Sequence, residues 1–200
     1  MTLRLEYVIP VIAYFLGSIP FGYLLVKMTV GMDIRSVGSG NIGATNVYRK
    51  SRWAGLLTLS LDAGKGYLAV AVAAWMGGTK EWQAIAAVAA IAGHVFTVWL
   101  GFKGGKGVAA WLGAYLAISP AALGTTLILF VLIVALTRYV SLASILASGT
   151  FPILAYLYHE PASTLIWAAV GSAIIIARHH QNIRRLMSGT EHKFAFGSRP

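Results

Sequence analysis

Long apolar runs alternate along the chain with short segments that are rich in glycine and charge. A helix that spans the hydrocarbon of a bilayer needs about 20 apolar residues, with a range of about 17–25. Seven apolar segments stand out; the first three and the last two reach this length at least marginally, and the other two are short. They are residues 5–26, 54–76, 82–100, 107–118, 121–136, 141–157 and 162–178. The pattern predicts an all-α, polytopic integral membrane protein.

The two short segments leave the topology open, because residues 107–136 form either one span interrupted at Ser119-Pro120 or two spans joined there. Positive charges concentrate on the cytoplasmic side of membrane proteins. With seven spans and an outside N-terminus, only Arg4 and Lys80 of the sixteen Lys and Arg residues lie outside. A single span over 107–136 would move Arg138 and the basic tail outside. The sequence therefore predicts seven transmembrane helices, an outside N-terminus and a cytoplasmic C-terminus.

The composition agrees with a membrane protein and limits its chemistry. Of the 200 residues, 58% are hydrophobic and 11% are charged, against roughly 45–50% and about 25% in soluble domains. The net charge of +10 is explained by orientation in the membrane, so no nucleic-acid partner is expected. The absence of cysteine excludes a thiolate metal site and a thioester-forming nucleophile, and the six scattered acidic residues do not favour a metal cage. We expect neither a metal nor a cofactor.

No repeat or linker divides the chain, so we expect one domain over residues 1–200. We also expect the first span to be retained, because its apolar stretch is too long for a cleaved signal peptide.

The predicted topology gathers three polar segments on the cytoplasmic face. The first, "SVGSGNIGATNVYRK" at 36–50, contains glycines whose N–H groups can converge on an oxyanion. The planar guanidinium of Arg49 matches a phosphate. Ordinary positively charged loops are the alternative, but they need no such glycines or neutral donors. The loop residues concerned are the glycines Gly38, Gly40 and Gly43, and the donors Ser39, Asn41, Thr45 and Asn46.

The second segment, "FKGGKG" at 102–107, also combines glycines with positively charged side chains. Lys103 and Lys106 flank Gly104-Gly105, and a helix is expected to start near Gly107. A helix N-terminus favours anions. The segment is not a Walker A loop, because the upstream position that requires glycine holds leucine. Two cationic, glycine-rich segments on one face predict a site that holds phosphates.

These segments, together with "RHHQNIRRLMSGTEHK" at 178–193, carry a specific resemblance. "GSGNIGATN", "GHVFTVWLGFKGGKGVAA" and "HHQNIRRLMSGTEHK" match in order, character and spacing the motifs of the acyl-phosphate-dependent glycerol-3-phosphate acyltransferases, the PlsY family. "GSIPFGYLL" at 17–25 is similar to the first helix of that family. The resemblance covers essentially the whole chain. Thr97 stands where the family usually has proline, and His180 where arginine is common.

The resemblance implies a bacterial enzyme of the cytoplasmic (inner) membrane with its active site on the cytoplasmic face. Its partners would be acyl phosphate, glycerol 3-phosphate and membrane lipids, and its products lysophosphatidate and phosphate, in an early step of phospholipid synthesis. It implies catalytic roles for Ser39, Asn46, His179 and Asn182. It implies substrate binding by Gly38, Gly40, Asn41, Thr45, Arg49, Lys103, Gly104, Gly105 and Lys106.

Several roles are left open by the residues themselves. The acyltransferases that use acyl-CoA rely on a His-x4-Asp pair, which this chain cannot form because its last aspartate precedes its first histidine. The general base is either His179 or an oxygen of the donor phosphate. Glu191 is expected to brace its loop through a basic neighbour, and His94 to bond a neighbouring helix. Asp62 and Lys65, three residues apart, are expected to pair.

Two other function classes compete with the acyltransferase. A transporter for organic phosphates would also place cations near interrupted helices, but the polar motifs cluster on one face and no internal repeat is visible. A lipid-binding scaffold would not require Ser39, Asn46, His179 and Asn182 together.

Overall fold

The computed structural model describes residues 5–194, so Arg4 and Arg199, which entered the charge count, lie outside the described residues. Within the described range every regular element is helical, which confirms the all-α prediction. Single turns of 3-10 helix occupy Leu5–Val8, Ile34–Ser36 and Val98–Leu100. The described α-helices, α1 to α10, are Ile9–Ser18, Phe21–Val30, Ala44–Lys50, Arg52–Trp75, Lys80–Val95, Val108–Ile118, Pro120–Thr137, Val140–Leu157, Ala162–Arg178 and His180–Met187.

The first apolar segment is broken between α1 and α2, which the sequence pattern did not predict. Pro20 follows the end of α1 and has no N–H for a helical hydrogen bond, so the helix stops and restarts. Gly31 follows the end of α2, and its φ of 72° lies in the left-handed region that glycine tolerates. Taken together, Glu6–Val30 still forms a 25-residue candidate span.

The chain divides into two compact units, the first ending at Ile118 and the second beginning at Ser119. In the first unit α1 packs on α5, and α4 packs on α6. A Cβ on Gly66 of α4 would overlap the carbonyl of Ala110 in α6, and a Cβ on Gly17 would overlap that of Ala90. Small residues allow this close approach of helix backbones, which is the usual packing mode inside membranes.

The second unit contains α7 to α10. α7 packs on α8 and α8 packs on α9, where the buried Ser172 donates a hydrogen bond to the Ser148 carbonyl at 2.6 Å. α10 leaves α9 at a bend of 58° and contacts both α8 and α9. The single domain predicted from the sequence stays a prediction.

Five described segments are long and apolar enough to cross a bilayer, and α9 with α10 counts as a sixth if the bent pair is one span. The prediction of a multi-pass membrane protein is therefore confirmed. α6 has only 11 residues, or about 16 Å at 1.5 Å per residue, roughly half the hydrocarbon thickness. It ends at Ile118 and α7 starts at Pro120, so the helix is interrupted where the sequence indicated. Seven spans and the orientation of the termini stay predictions.

Candidate active site

The first polar loop folds around the buried side chain of Asn46, which projects from α3. Its Oδ1 accepts a hydrogen bond from the N–H of Ser39 at 3.0 Å. A primary amide offers two donor hydrogens and an acceptor oxygen, so this one side chain can satisfy several backbone groups. Its Nδ2 donates toward the carbonyls of Ile34 at 3.3 Å, Val37 at 3.0 Å and Asn41 at 2.9 Å. Asn46 therefore holds the backbone of the loop together.

The same loop exposes Ser39. Gly38 and Gly40, on either side, have φ values of 60° and 69°, a left-handed backbone that glycine adopts without strain. A Cβ on Gly38 would also overlap the Oδ1 of Asn46. The N–H of Ser39 is thus bound inward while its side chain is exposed. Arg49 is exposed near the end of α3.

The loop offers fewer backbone donors than the glycine pattern suggested. The N–H of Gly40 donates to the Val37 carbonyl at 3.1 Å, and the N–H of Gly43 donates to Asn41 Oδ1 at 2.8 Å. Of the three glycine N–H groups, only that of Gly38 has no acceptor among the residues that the structure describes. The Gly40 and Gly43 N–H groups are therefore used within the loop, and Arg49 is an exposed cation near it.

An exposed ion pair precedes the loop. Arg35 Nη2 lies 2.6 Å from Asp33 Oδ2, and the Arg35 backbone N–H also donates to Asp33. The Arg35 side-chain hydrogen bond lowers the pKa of Asp33 to about 2. Because the pair is solvated, it contributes little to stability.

The second polar segment connects α5 to α6. The N–H of Gly104 donates to the Val95 carbonyl and that of Gly105 to the His94 carbonyl, both at 3.0 Å. Both glycines are buried, whereas Lys103 is exposed and Lys106 is half-buried. The glycine N–H groups are thus engaged within the fold, and the lysine side chains carry the charge of this segment.

A helix starts after this segment as predicted, since Gly107 has a φ of 87° and α6 begins at Val108. The first two polar segments are also neighbours within the first unit. Leu100, just before the second segment, packs against the hydrophobic cluster beneath the first loop. That cluster comprises Val26, Ile34, Ile42, Val47 and Ala54.

A buried ionic cluster of Asp62, Lys65 and His94 lies between α4 and α5. Lys65 Nζ is 2.7 Å from Asp62 Oδ1, which confirms the predicted pairing. His94 Nδ1 lies 3.6 Å from the same oxygen, so His94 of α5 faces α4, the neighbouring-helix contact that the sequence predicted. The sequence did not indicate that the three side chains form one cluster.

In the second unit, His179 occupies the bend between α9 and α10 and is 2% exposed. Its Nδ1 lies 2.8 Å from the Ile175 carbonyl. A carbonyl oxygen can only accept, so Nδ1 carries a proton, and when the ring is neutral the lone pair lies on Nε2. Asn182 is buried as well, while His180 and Gln181 between them are exposed. This confirms that His179 and Asn182 share one face.

Glu191 is the centre of the third polar segment. Its Oε1 accepts from Asn182 Nδ2 at 2.8 Å and from Ser141 Oγ at 2.9 Å, and its Oε2 accepts from Arg185 Nε at 2.7 Å. Burial alone raises the pKa of this carboxyl, but the hydrogen bonds from Arg185, Asn182 and Ser141 outweigh burial and leave the pKa below its usual range. The predicted bracing through a basic neighbour is confirmed.

Ser141 was missed by sequence reasoning. It lies 50 residues from Glu191, at the second position of α8, and nothing in the apolar run around it marks it. The sequence shows only a hydroxyl at the start of a predicted span.

The predicted site residues fall into both units. Ser39, Arg49, Lys103 and Lys106 are in the first unit, where their two segments adjoin. His179 and Asn182 are in the second unit. Their roles in binding and catalysis stay predictions.

Known proteins resemble the chain over nearly its whole length. A family model described as glycerol-3-phosphate acyltransferase matches residues 7–189. The chain is 49% identical to a glycerol-3-phosphate acyltransferase of Trichlorobacter lovleyi, over 91% of this chain and 94% of the relative. It is 46% identical to one of Geobacter sulfurreducens, over 94% of this chain and 97% of the relative.

Solved structures agree with these relatives. The chain is similar to the crystal structure of PlsY (YgiH), an integral membrane glycerol 3-phosphate acyltransferase, in its glycerol 3-phosphate form. The TM-score is 0.91 at 40% identity, covering 95% of this chain and 96% of that one. The lysophosphatidic acid form gives a TM-score of 0.88 at 38% identity, with 95% of each chain covered. With its helical membrane fold, its two cationic segments and this family match, the chain belongs to the glycerol-3-phosphate acyltransferase family of the PlsY type.

Proposed function

We propose that the chain transfers a fatty acyl group from acyl phosphate to the 1-hydroxyl of glycerol 3-phosphate, giving lysophosphatidate and inorganic phosphate. One observation carries this proposal: the similar PlsY structure exists in a glycerol 3-phosphate form and in a lysophosphatidic acid form. The second compound is the first with one acyl ester added. This relation supports assigning the two compounds as the acceptor and the product of a single transfer.

The composition of the chain supports acyl phosphate as the donor. The chain has no cysteine to carry an acyl thioester, and no His-x4-Asp pair of the kind that acyl-CoA-dependent enzymes use. Acyl phosphate is a mixed anhydride with a good leaving group, so transfer requires no covalent enzyme intermediate. Two phosphate-bearing substrates also account for two cationic segments.

The proposed step is a direct displacement. The hydroxyl oxygen of glycerol 3-phosphate attacks the acyl carbonyl carbon, and the bond from that carbon to the phosphate oxygen breaks, so that phosphate leaves with the electron pair. The hydroxyl proton passes either to Nε2 of His179 or to an oxygen of the donor phosphate. The hydrogen bond from Nδ1 to the Ile175 carbonyl supports a role for His179, because it directs the ring's lone pair to Nε2.

Charged and exposed side chains are assigned to the phosphates. We assign Lys103 and Lys106 to the acceptor phosphate, and Arg49 with Ser39 to the donor phosphate and the carbonyl. This rests on their charge and on the exposure of Lys103, Arg49 and Ser39. Lipid headgroups are the competing ligand of the lysines.

The remaining site residues are assigned to shaping and positioning. Gly104 and Gly105 fold the second segment onto α5, since their N–H groups bond α5 carbonyls. Asn46 holds the first loop, and Asn182 joins Glu191 beside the histidine. Gly38, Gly40, Asn41 and Thr45 shape the first loop around Ser39.

The proposed setting is the bacterial inner membrane, with seven spans, an outside N-terminus and the site on the cytoplasmic face. The charge distribution supports this orientation, with only Arg4 and Lys80 of the cations outside. Membrane lipids surround the helices, and the acyl tail of the donor explains why the site belongs to a membrane protein.

The test is an assay of the detergent-solubilised protein with acyl phosphate and radiolabelled glycerol 3-phosphate. We expect labelled lysophosphatidate, unaffected by EDTA, and little product when acyl-CoA replaces acyl phosphate. A transporter would form no lipid product. Product formed from acyl-CoA but not from acyl phosphate would contradict the assigned donor.

A further inference from the structure

The ionic cluster of Asp62, Lys65 and His94 takes no part in the proposed displacement, although it is almost completely buried. The side chains of Lys65, His94 and Asp62 are 3%, 3% and 2% exposed. Desolvating charges is unfavourable, and apolar residues of similar volume often serve stability equally well. Ionisable groups inside a membrane protein are therefore functional candidates by default. Stability alone does not explain this cluster.

One end of the cluster holds the break between α1 and α2. Lys65 Nζ donates a hydrogen bond to the Ile19 carbonyl at 2.6 Å, immediately before Pro20. The same ammonium lies 5.6 Å from the centroid of the Phe21 ring. Gly22 follows, and a Cβ on it would overlap the Ile42 carbonyl of the first polar loop. The break that Lys65 holds is thus in direct contact with the loop that exposes Ser39.

The other end touches the second polar segment. A Cβ on Gly105 would overlap Nε2 of the His94 ring, so the backbone between the two lysines lies directly against the imidazole. The Gly105 N–H also donates to the His94 carbonyl at 3.0 Å. A shift of this ring toward Gly105 would therefore displace the segment that carries Lys103 and Lys106.

We propose that Asp62, Lys65 and His94 are positioning residues that set the place of the Lys103–Lys106 segment, and with it the affinity for the acceptor phosphate. Asp62 Oδ1 lies between the two other members of the cluster, 3.6 Å from Nδ1 of His94 and 2.7 Å from Nζ of Lys65. The cluster thereby connects the second polar segment to the α1–α2 break, which lies beside the first polar segment. This inference rests on the proposed function, because it assumes that the two lysines hold glycerol 3-phosphate.

His94 offers the cleanest variants, because Asp62→Asn also leaves the Lys65 charge buried without its counter-ion. His94→Phe keeps a ring of similar size and removes both nitrogens, whereas His94→Gln keeps a polar group that can donate to Asp62. Misplacement of a binding group by about 1 Å can change rates by about 100-fold. We expect His94→Phe to raise the KM for glycerol 3-phosphate roughly 10- to 100-fold, with the KM for acyl phosphate nearly unchanged, and His94→Gln to recover most of this loss.

The matched control is Ser172→Ala, which removes a buried helix-to-helix hydrogen bond in the second unit. It should lower the melting temperature in detergent without a selective change in the glycerol-3-phosphate KM. A general packing defect in His94→Phe would instead raise both KM values together, or lower kcat alone, and either result would overturn the positioning role.

A double-mutant cycle tests the contact itself. Gly105→Ala places a methyl group against the His94 ring, and His94→Ala removes that ring. We expect Gly105→Ala alone to raise the glycerol-3-phosphate KM, and the double variant to have a lower KM than Gly105→Ala. Independent, multiplicative effects of the two substitutions would count against the proposal.

Calorimetric titration with glycerol 3-phosphate separates this inference from the proposed function. A His94→Phe protein that remains monodisperse in detergent and binds glycerol 3-phosphate as tightly as the unaltered protein would overturn the positioning role. If the unaltered protein forms no lysophosphatidate, the proposed function fails. Even then, a larger dissociation constant for glycerol 3-phosphate in His94→Phe would support the positioning of a glycerol-3-phosphate site by the cluster.

Discussion

The first and third polar segments are each held by one buried side chain, but the two side chains differ in charge. Asn46 is a neutral amide that binds four backbone groups of its loop. Glu191 is a carboxylate that gathers three side-chain donors, one of them the cation of Arg185. Asn46 supports a loop that exposes Ser39, and Glu191 supports the buried face of His179 and Asn182.

The difference follows from what each group has to bond. A loop backbone presents both carbonyls and N–H groups, and an amide can donate and accept at once without desolvating a charge. A carboxylate only accepts, so Glu191 can bring together donors from α8 and α10, but it needs a cation beside it and is protonated by acid. The stability of the first segment should therefore depend on the amide group of Asn46, and the stability of the third segment should depend on pH.

Substitution of Asn46 should have the largest effect. Asn46→Ala leaves the Ser39 N–H and the Asn41 carbonyl without a partner among the described residues, and it removes one of two donors from the Ile34 and Val37 carbonyls. Each orphaned buried group costs about 1–3 kcal/mol, so we expect a loss of several kcal/mol and of most activity. Asn46→Asp should be at least as harmful, because an oxygen then faces the carbonyls. The control is Asn41→Ala, which removes only the bond to the Gly43 N–H. Thermal unfolding in detergent measures the stability of the three variants, and equal stability of all three would contradict the role given to Asn46.

Substitution of His179 should reduce the rate without unfolding the loop. Removing a group that acts in the transition state costs about 2.7–4 kcal/mol, or about 100- to 1,000-fold in kcat, and we expect this for His179→Ala. His179→Gln keeps a polar group but cannot accept the proton as imidazole does. Substantial activity in His179→Gln would indicate orientation by the side chain and proton transfer to the donor phosphate. Full activity in both variants would remove His179 from the site.

Acid should weaken the third segment through Glu191. Its pKa in the folded protein is lowered, so its stabilising effect is complete above the unfolded pKa of about 4.3 and is lost as pH falls through the folded value. Glu191→Gln should cost about 1–3 kcal/mol at neutral pH. The gap in melting temperature between the two proteins should narrow below about pH 4.3. A gap that is constant from pH 7 to pH 3 would contradict a charge-based brace.

The smallest effect should come from Asp33→Asn, just before the first segment. Asp33 also has a lowered pKa, about 2. Its contribution to stability would therefore be lost as the pH falls from its unfolded pKa, about 3.9, to about 2. Its pair with Arg35 is exposed and screened by water, however. We expect no measurable change in melting temperature at neutral pH. A loss as large as that of Glu191→Gln would show that the first segment also depends on charge.

The sequence predicted the helical membrane fold because long apolar runs have few alternatives in a bilayer. It also predicted the interruption at Ser119-Pro120 and the helix start after Gly107. It did not predict the break at Pro20, because the apolar run continues through that residue. Hydrophobicity alone does not show that proline lacks the N–H that a continuous helix needs. The crossing of the membrane by α6 stays a prediction, since its 11 residues are shorter than a full span.

At the candidate site, residue types were more predictable than their bonding. Pairs three residues apart, such as Asp62 with Lys65 and His179 with Asn182, follow from helix geometry. The roles of Asn46 and Gly105 do not, because their partners belong to irregular backbone or to another helix. Glycines that suggested anion-binding N–H groups instead permit close packing, as Gly105 does against the His94 ring.

Phosphate release from acyl phosphate tests the account most directly, because the central claim is direct transfer in a single displacement. Purified protein is mixed rapidly with acyl phosphate, first alone and then with glycerol 3-phosphate, while phosphate and lysophosphatidate are measured. The account predicts no phosphate burst without the acceptor, and one lysophosphatidate for each phosphate released with it. A burst stoichiometric with protein in the absence of glycerol 3-phosphate, or phosphate released without lipid product, would contradict it.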